Sequence, residues 1–218
     1  MRALYGKVFA SPYALSGANW KSALTITAFR YKAVLSLAFL ITIGVFIPHF
    51  FNFIQHRPGI VLNDVLLNLY PPKDVSWYIF PIMYLALGIT FLNLLPLPEL
   101  FIRAVQAYTF LLIIRMICLY CVPLEPATLY IPLQDPFIGG AFYSGVPITK
   151  DLFFSGHVST LFLLWLINPA PALKITLLVA TCAVAVLILI QHVHYTVDII
   201  AAPFFAFGSY RLAMKKWR

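Results

Sequence analysis

The chain has 218 residues, 62% of them hydrophobic and only 10% charged, with a formal charge of +8. A soluble domain carries about 25% charged residues, so this composition excludes a disordered segment and argues against a soluble core. The positive charge does not form a nucleic-acid patch either. It collects at the two ends, as Arg2, Lys7, Lys21, Arg30 and Lys32 before the first long apolar run and Arg211, Lys215, Lys216 and Arg218 at the tail. Basic ends around an apolar body read as cytoplasmic anchors facing anionic lipid.

Taken in chain order, residues 1–32 lack the early apolar stretch of a cleaved signal peptide. They read as a cytoplasmic or interfacial segment, with aromatic and basic residues mixed in "SPYALSGANWKSALTITAFRYK". Apolar runs of about 20 residues suffice to cross a hydrocarbon core of about 30 Å. Six spans are predicted, at 33–54, 77–96, 99–122, 154–168, 173–192 and 196–213. The predicted fold is therefore an all-α integral membrane protein, a six-transmembrane helix bundle over residues 33–213 with a basic tail at 214–218. Two longer polar connections, 55–76 and 123–152, carry Pro, Asp and Asn. Cys118, Cys121 and Cys182 all lie in apolar stretches and read as small core residues rather than as a disulfide framework.

Counting Lys and Arg by side gives eleven on the side of the N-terminus and four (Arg57, Lys73, Arg115, Lys150) on the other. The positive-inside rule then places both termini in the cytoplasm. It also places Arg115, His157, His194 and Asp198 in the outer halves of their spans, on one level of one leaflet. Ionisable groups inside a span are functional by default and face the bundle interior.

These residues have a common chemistry. In "DLFFSGHVS", Ser155 and Gly156 stand where a helix would begin, so free N–H groups and the positive dipole end would meet an anion. Gly156 allows close approach to the backbone, and His157 follows within a turn. In "LILIQHVHYTVDII", His194 and Asp198 are four apart and share a helical face. A carboxylate on one ring nitrogen raises the basicity of the other, which turns a histidine into a nucleophile or general base. Arg115 adds a planar charged fork suited to phosphate oxygens. Together they point to phosphoryl transfer. His192 reads as a packing residue, and His49 and His56 as interface residues. Glu125, ten residues past Arg115, is a candidate to assist His157 or to meet a cationic headgroup, with Tyr120 and Tyr130 offering aromatic faces; an ordinary loop acid is its plain alternative.

The motifs "DLFFSGH" and "HYTVD", whose histidines are 37 residues apart, resemble the sphingomyelin synthase family, a branch of the type-2 phosphatidic-acid phosphatase superfamily. "IIRMICLYCVPLEP" is similar to that family's third-span motif. The resemblance implies His194 as nucleophile, Asp198 as its orienting partner and His157 as proton donor and acceptor. It implies Arg115, Ser155, Gly156 and Tyr195 as substrate contacts. The phosphatase branch carries Lys, Pro, Pro and Arg where this chain has Tyr108, Met116, Phe154 and Ile188, which favours the synthase-like branch. The synthase pattern is itself altered at Cys118, at 148–150 and at Val158.

The activity expected is transfer of a phosphoryl headgroup from a membrane phospholipid donor to a lipid alcohol acceptor, ceramide or diacylglycerol. Water as acceptor would give a phospholipase C or lipid phosphatase. A proton-coupled transporter and a metal-dependent hydrolase built on His192, His194 and His157 are the remaining alternatives. No cofactor, no metal and no nucleic acid partner are expected, and a homo-oligomer is left open. The site would face the exoplasmic side, a bacterial periplasm or a Golgi lumen or cell exterior.

Overall fold

The computed structural model describes residues 19–135 and 148–215. The basic residues Arg2, Lys7, Lys216 and Arg218, and the stretch 136–147 of the second polar connection, lie outside the described residues. A single helical turn, Trp20–Ala23, capped by the Asn19 side chain on Ser22 N–H, precedes the first long helix. Six α-helices follow among the described residues, with one 3₁₀ turn at Leu67–Leu69 between the first two: α1 Thr27–Gln55, α2 Ser76–Leu94, α3 Pro98–Cys121, α4 Gly156–Ile167, α5 Pro171–Ile190 and α6 Thr196–Met214. Pro98 and Pro171 open α3 and α5, where a missing N–H costs nothing and a fixed φ already suits the helix.

Five of these helices are long and apolar enough to cross a membrane, and the chain is an all-α integral membrane protein. The fourth differs from its expected span. At 12 residues α4 is about 18 Å long, short of a core of about 30 Å. The chain enters from 148 to 155 in non-helical form. At Ser155 the backbone N–H is spent on the carbonyl of Asp198, so the segment is tied to the start of α6 before it can turn helical. Non-helical backbone at membrane depth is tolerated where protein surrounds it, and Phe154 and Ser155 are fully buried.

α4 is the centre of the bundle, packed on α2, α3, α5 and α6. Val158, Leu161 and Leu163 of α4 meet Ile79, Leu111, Val184 and Ile188 in one apolar core. Ala202 and Ala206, both fully buried, present a small-residue stripe on α6, which lets neighbouring helices approach where no hydrophobic effect drives them together. α1 packs chiefly on α3 and keeps Val34, Ile41 and Val45 more than 60% exposed, as a lipid-facing helix should. It begins six residues before the expected span, because Trp20 packs on Phe29 and Phe101 and donates to Leu95 O, holding the chain against the α2–α3 turn.

The two ends of the bundle differ in charge. Lys32 and Arg103 both pair with Glu99, and Arg103 also donates to Ala213 O. This gathers the starts of α1 and α3 and the finish of α6 at one end. At the other end the connections from α1 and α3 pair through an isolated bridge, Ile60 with Leu124.

Candidate active site

The turn from α5 into α6 explains how two histidines two residues apart come to face different ways. The N–H of His192 bonds to Leu189 O and that of Val193 to Ile188 O, the two bonds of a Schellman motif, and His192 takes the left-handed position (φ 57°) where glycine is usual. Gln191, fully buried, fixes the turn: its Oε1 accepts from Val75 N–H, and its amide donates to Ser76 Oγ and to Ile131 and Pro132 carbonyls. His194 is thereby turned inward.

Asp198 serves two neighbours. Its Oδ2 accepts from Tyr195 N–H at 3.0 Å, capping α6, and lies 3.4 Å from His194 Nδ1, an ion-pair distance without hydrogen-bond alignment. Both side chains are buried. The His157 ring stands 6.3 Å from that of His194, at 67°, and makes a second T-shaped contact with Phe80. Arg115, only 8% exposed, donates from Nε to Phe154 O at 3.0 Å, and its Nη2 lies 2.6 Å from Asp151 Oδ1. That contact is off the hydrogen-bond line, but two opposite charges so close attract whatever their angle. The polar atoms Asp151 Oδ1, Ser155 Oγ, His157 Nδ1, His194 Nδ1 and Asp198 Oδ1 are buried without a hydrogen-bond partner, five of the eight such atoms among the described residues. Each unmade bond costs about 1–3 kcal/mol, a cost concentrated at one place.

Gly156 has a role beyond that expected. A Cβ there would come within 2.7 Å of Arg115 Cζ, so it is the guanidinium that approaches the backbone. Gly156→Ala should displace Arg115 from Phe154 O and lower kcat/KM by about 10- to 100-fold, the worth of a charged hydrogen bond. Turnover measured beside the thermal midpoint separates this from unfolding.

Glu125 and Tyr195 are held by loop partners. Glu125 Oε1 accepts from Lys150 Nζ (2.6 Å) and Gly59 N–H (2.9 Å), and none of these partners is His157. The Lys150 hydrogen bond, ahead of burial, holds the Glu125 carboxyl below its ordinary value of 4.5. Such a group stabilises the fold fully above that value and loses its contribution as pH falls below it. Glu125→Gln should therefore flatten the acid limb of a thermal-midpoint profile taken between pH 6 and 3. The Tyr195 hydroxyl donates to Glu125 O and accepts from Leu62 N–H, which pins the connections that follow α1 and α3 to the start of α6. Asp64 adds a third tie: its Oδ2 and Oδ1 accept from Thr196 N–H and Oγ1. Asp64 and Gln191 carry no motif, and only the spatial meeting of distant segments gives them away. Among the described residues no group of three or more His, Cys, Asp or Glu could hold a metal ion.

No curated protein matches the chain. Residues 150–215 match the family model described as PAP2 superfamily C-terminal, a stretch that holds Ser155, Gly156, His157, His194 and Asp198 and leaves Arg115 and Glu125 outside. The match covers less than half of the chain; it supports the type-2 phosphatidic acid phosphatase superfamily and, in general terms, a lipid phosphatase or phosphotransferase type of activity.

Proposed function

We propose that this protein is a lipid phosphotransferase that moves a phosphoryl headgroup from a glycerophospholipid to a lipid alcohol, in the manner of the sphingomyelin synthase branch. The reading rests above all on the convergence of the two histidine rings with buried, unpartnered polar atoms beside a buried arginine. His194, its Nδ1 directed to Asp198, attacks phosphorus with Nε2. The bond from phosphorus to the diacylglycerol oxygen breaks, and His157 supplies the proton that oxygen takes. In the second half His157 removes the proton of the acceptor hydroxyl, whose oxygen displaces the headgroup from His194. Arg115 and Ser155 offer donors to the phosphate oxygens, and fixed donors aimed at developing charge carry most of such a barrier. The departures from the phosphatase pattern at Tyr108, Met116, Phe154 and Ile188 favour a lipid acceptor over water. With the termini cytoplasmic, this end of the bundle faces the exoplasmic side.

The test uses purified protein in nanodiscs with headgroup-labelled phosphatidylcholine or phosphatidylethanolamine, given ceramide, diacylglycerol or no acceptor. Label in a new lipid that depends on His194 and is indifferent to chelator is the expected result. Release of soluble phosphocholine or phosphoethanolamine alone would make the protein a phospholipase C. No product from either donor would remove the reading.

A further inference from the structure

A cavity lies beside Tyr195, and neither His157 nor His194 lines it. Its volume is about 530 Å³, and its walls include Asp64, Tyr70, His192 and Tyr195 together with apolar Leu69 and Leu129. His192 contributes an imidazole that is 3% exposed, with Nε2 buried and without a hydrogen-bond partner. The Tyr70 ring meets it edge-on at 5.2 Å. Nothing in the proposed phosphoryl transfer uses these groups. The Schellman turn itself would be better served by glycine at 192, since a left-handed conformation costs an ordinary residue about 1–2 kcal/mol.

The charge of the cavity decides what it can take. Asp64 is its one charged group, and neither Lys nor Arg is in the wall. Burial would raise the Asp64 carboxyl, but hydrogen bonds from Thr196, Leu67 and Leu66 outweigh it and hold the group below the usual carboxylate range, so it is an anion at neutral pH. A phosphate or carboxylate ligand would meet that charge with no cation to offset it. A cation would meet the Asp64 carboxylate beside the rings of Tyr70 and Tyr195 and the His192 imidazole, an environment suited to ammonium groups. In the tautomer that leaves Nε2 of His192 unprotonated, that nitrogen takes an N–H, which a primary amine supplies and a quaternary one cannot. The volume exceeds what a small amine fills, and Leu69 and Leu129, 73% and 65% exposed, form a greasy wall at the membrane-surface end of the bundle.

We infer that this cavity is a binding site for a primary ammonium group carried on an apolar chain, held between Asp64, Tyr70 and His192. The site is separate from the paired histidines, and the inference does not depend on phosphoryl transfer. It does offer a route to that centre, because Asp64 also holds Thr196, the first residue of α6, two residues before Asp198.

The experiment is done on His194→Ala protein in phosphatidylglycerol nanodiscs, so that turnover plays no part. Histidine is labelled at Cε1, and His192→Asn, which tolerates the left-handed position, identifies the His192 resonance. Octylamine should shift that resonance saturably. 1-Octanol, which lacks the charge, and methylamine, which lacks the chain, should each need at least ten times the concentration. Tyr70→Leu, a second variant that changes no residue of the α5–α6 turn, should weaken octylamine at least tenfold. A His192 resonance unmoved by octylamine, or moved as readily by octanol, would overturn the site. Methylamine binding as tightly as octylamine would overturn its lipid character. Equal octylamine affinity in Tyr70→Leu would overturn the assignment of the residues.

Discussion

His194→Ala is expected to lose about 10⁴-fold or more of its turnover, the scale seen when a covalent nucleophile is removed, while its helices stay folded. His194 is buried, but its Nδ1 makes no aligned hydrogen bond, so truncation gives up little that the fold needs. The companion variant is His157→Gln, which should also fail on natural lipids but for a different reason. If His157 only protonates the leaving oxygen in the first half, a donor with a p-nitrophenol leaving group needs no such proton. His157→Gln should then regain the first half-reaction on that donor, and label should accumulate on the protein in an acid-labile form. His194→Ala should show neither rescue nor labelling. A folded His194→Ala protein with more than a tenth of normal activity would remove the covalent mechanism.

Asp198→Asn is expected to cost about 10³- to 10⁴-fold in kcat with little change in stability. The asparagine oxygen can still accept from Tyr195 N–H, so the cap of α6 survives. That same oxygen, in the place of Oδ2, still faces His194 Nδ1, but as a neutral carbonyl it no longer stabilises a positive ring. Asp198→Ala should show the same kinetic loss plus about 1 kcal/mol of destabilisation from the missing cap. Equal thermal midpoints for the two variants would mean that the Tyr195 N–H bond contributes nothing. An unchanged kcat in Asp198→Asn would assign Asp198 to the helix cap alone.

Some of this was legible residue by residue. Long apolar runs announced the helices; His194 and Asp198 do meet, but His194 stands in the turn before α6, so Asp198 reaching back over the helix start, not a shared helical face, brings them to 3.4 Å. The start of α4 was legible too: the helix expected to open at Ser155 and Gly156 begins at Gly156, and the bond from Ser155 N–H to Asp198 O shows what holds the chain just before it. Glu125 looked available to the site by sequence distance, yet Lys150 and Gly59 occupy it. His192 looked like a packing residue. Its left-handed backbone follows from where α5 stops, which one apolar residue after another does not announce.

The sequence by itself determined that the chain lives in a membrane, that its helices are apolar along most of their length, and which residue types could carry phosphoryl chemistry. Those properties follow from composition and from local periodicity, which act over a few residues. The tertiary structure alone decided that Arg115 lies over Gly156, that Gln191 and Asp64 fasten the ends of α5 and α6, and that His192 lines a cavity that His194 does not. Each of these is a meeting of segments far apart in the chain. A buried polar atom takes whichever partner the packing brings within about 3 Å, and no pattern along the sequence carries that distance.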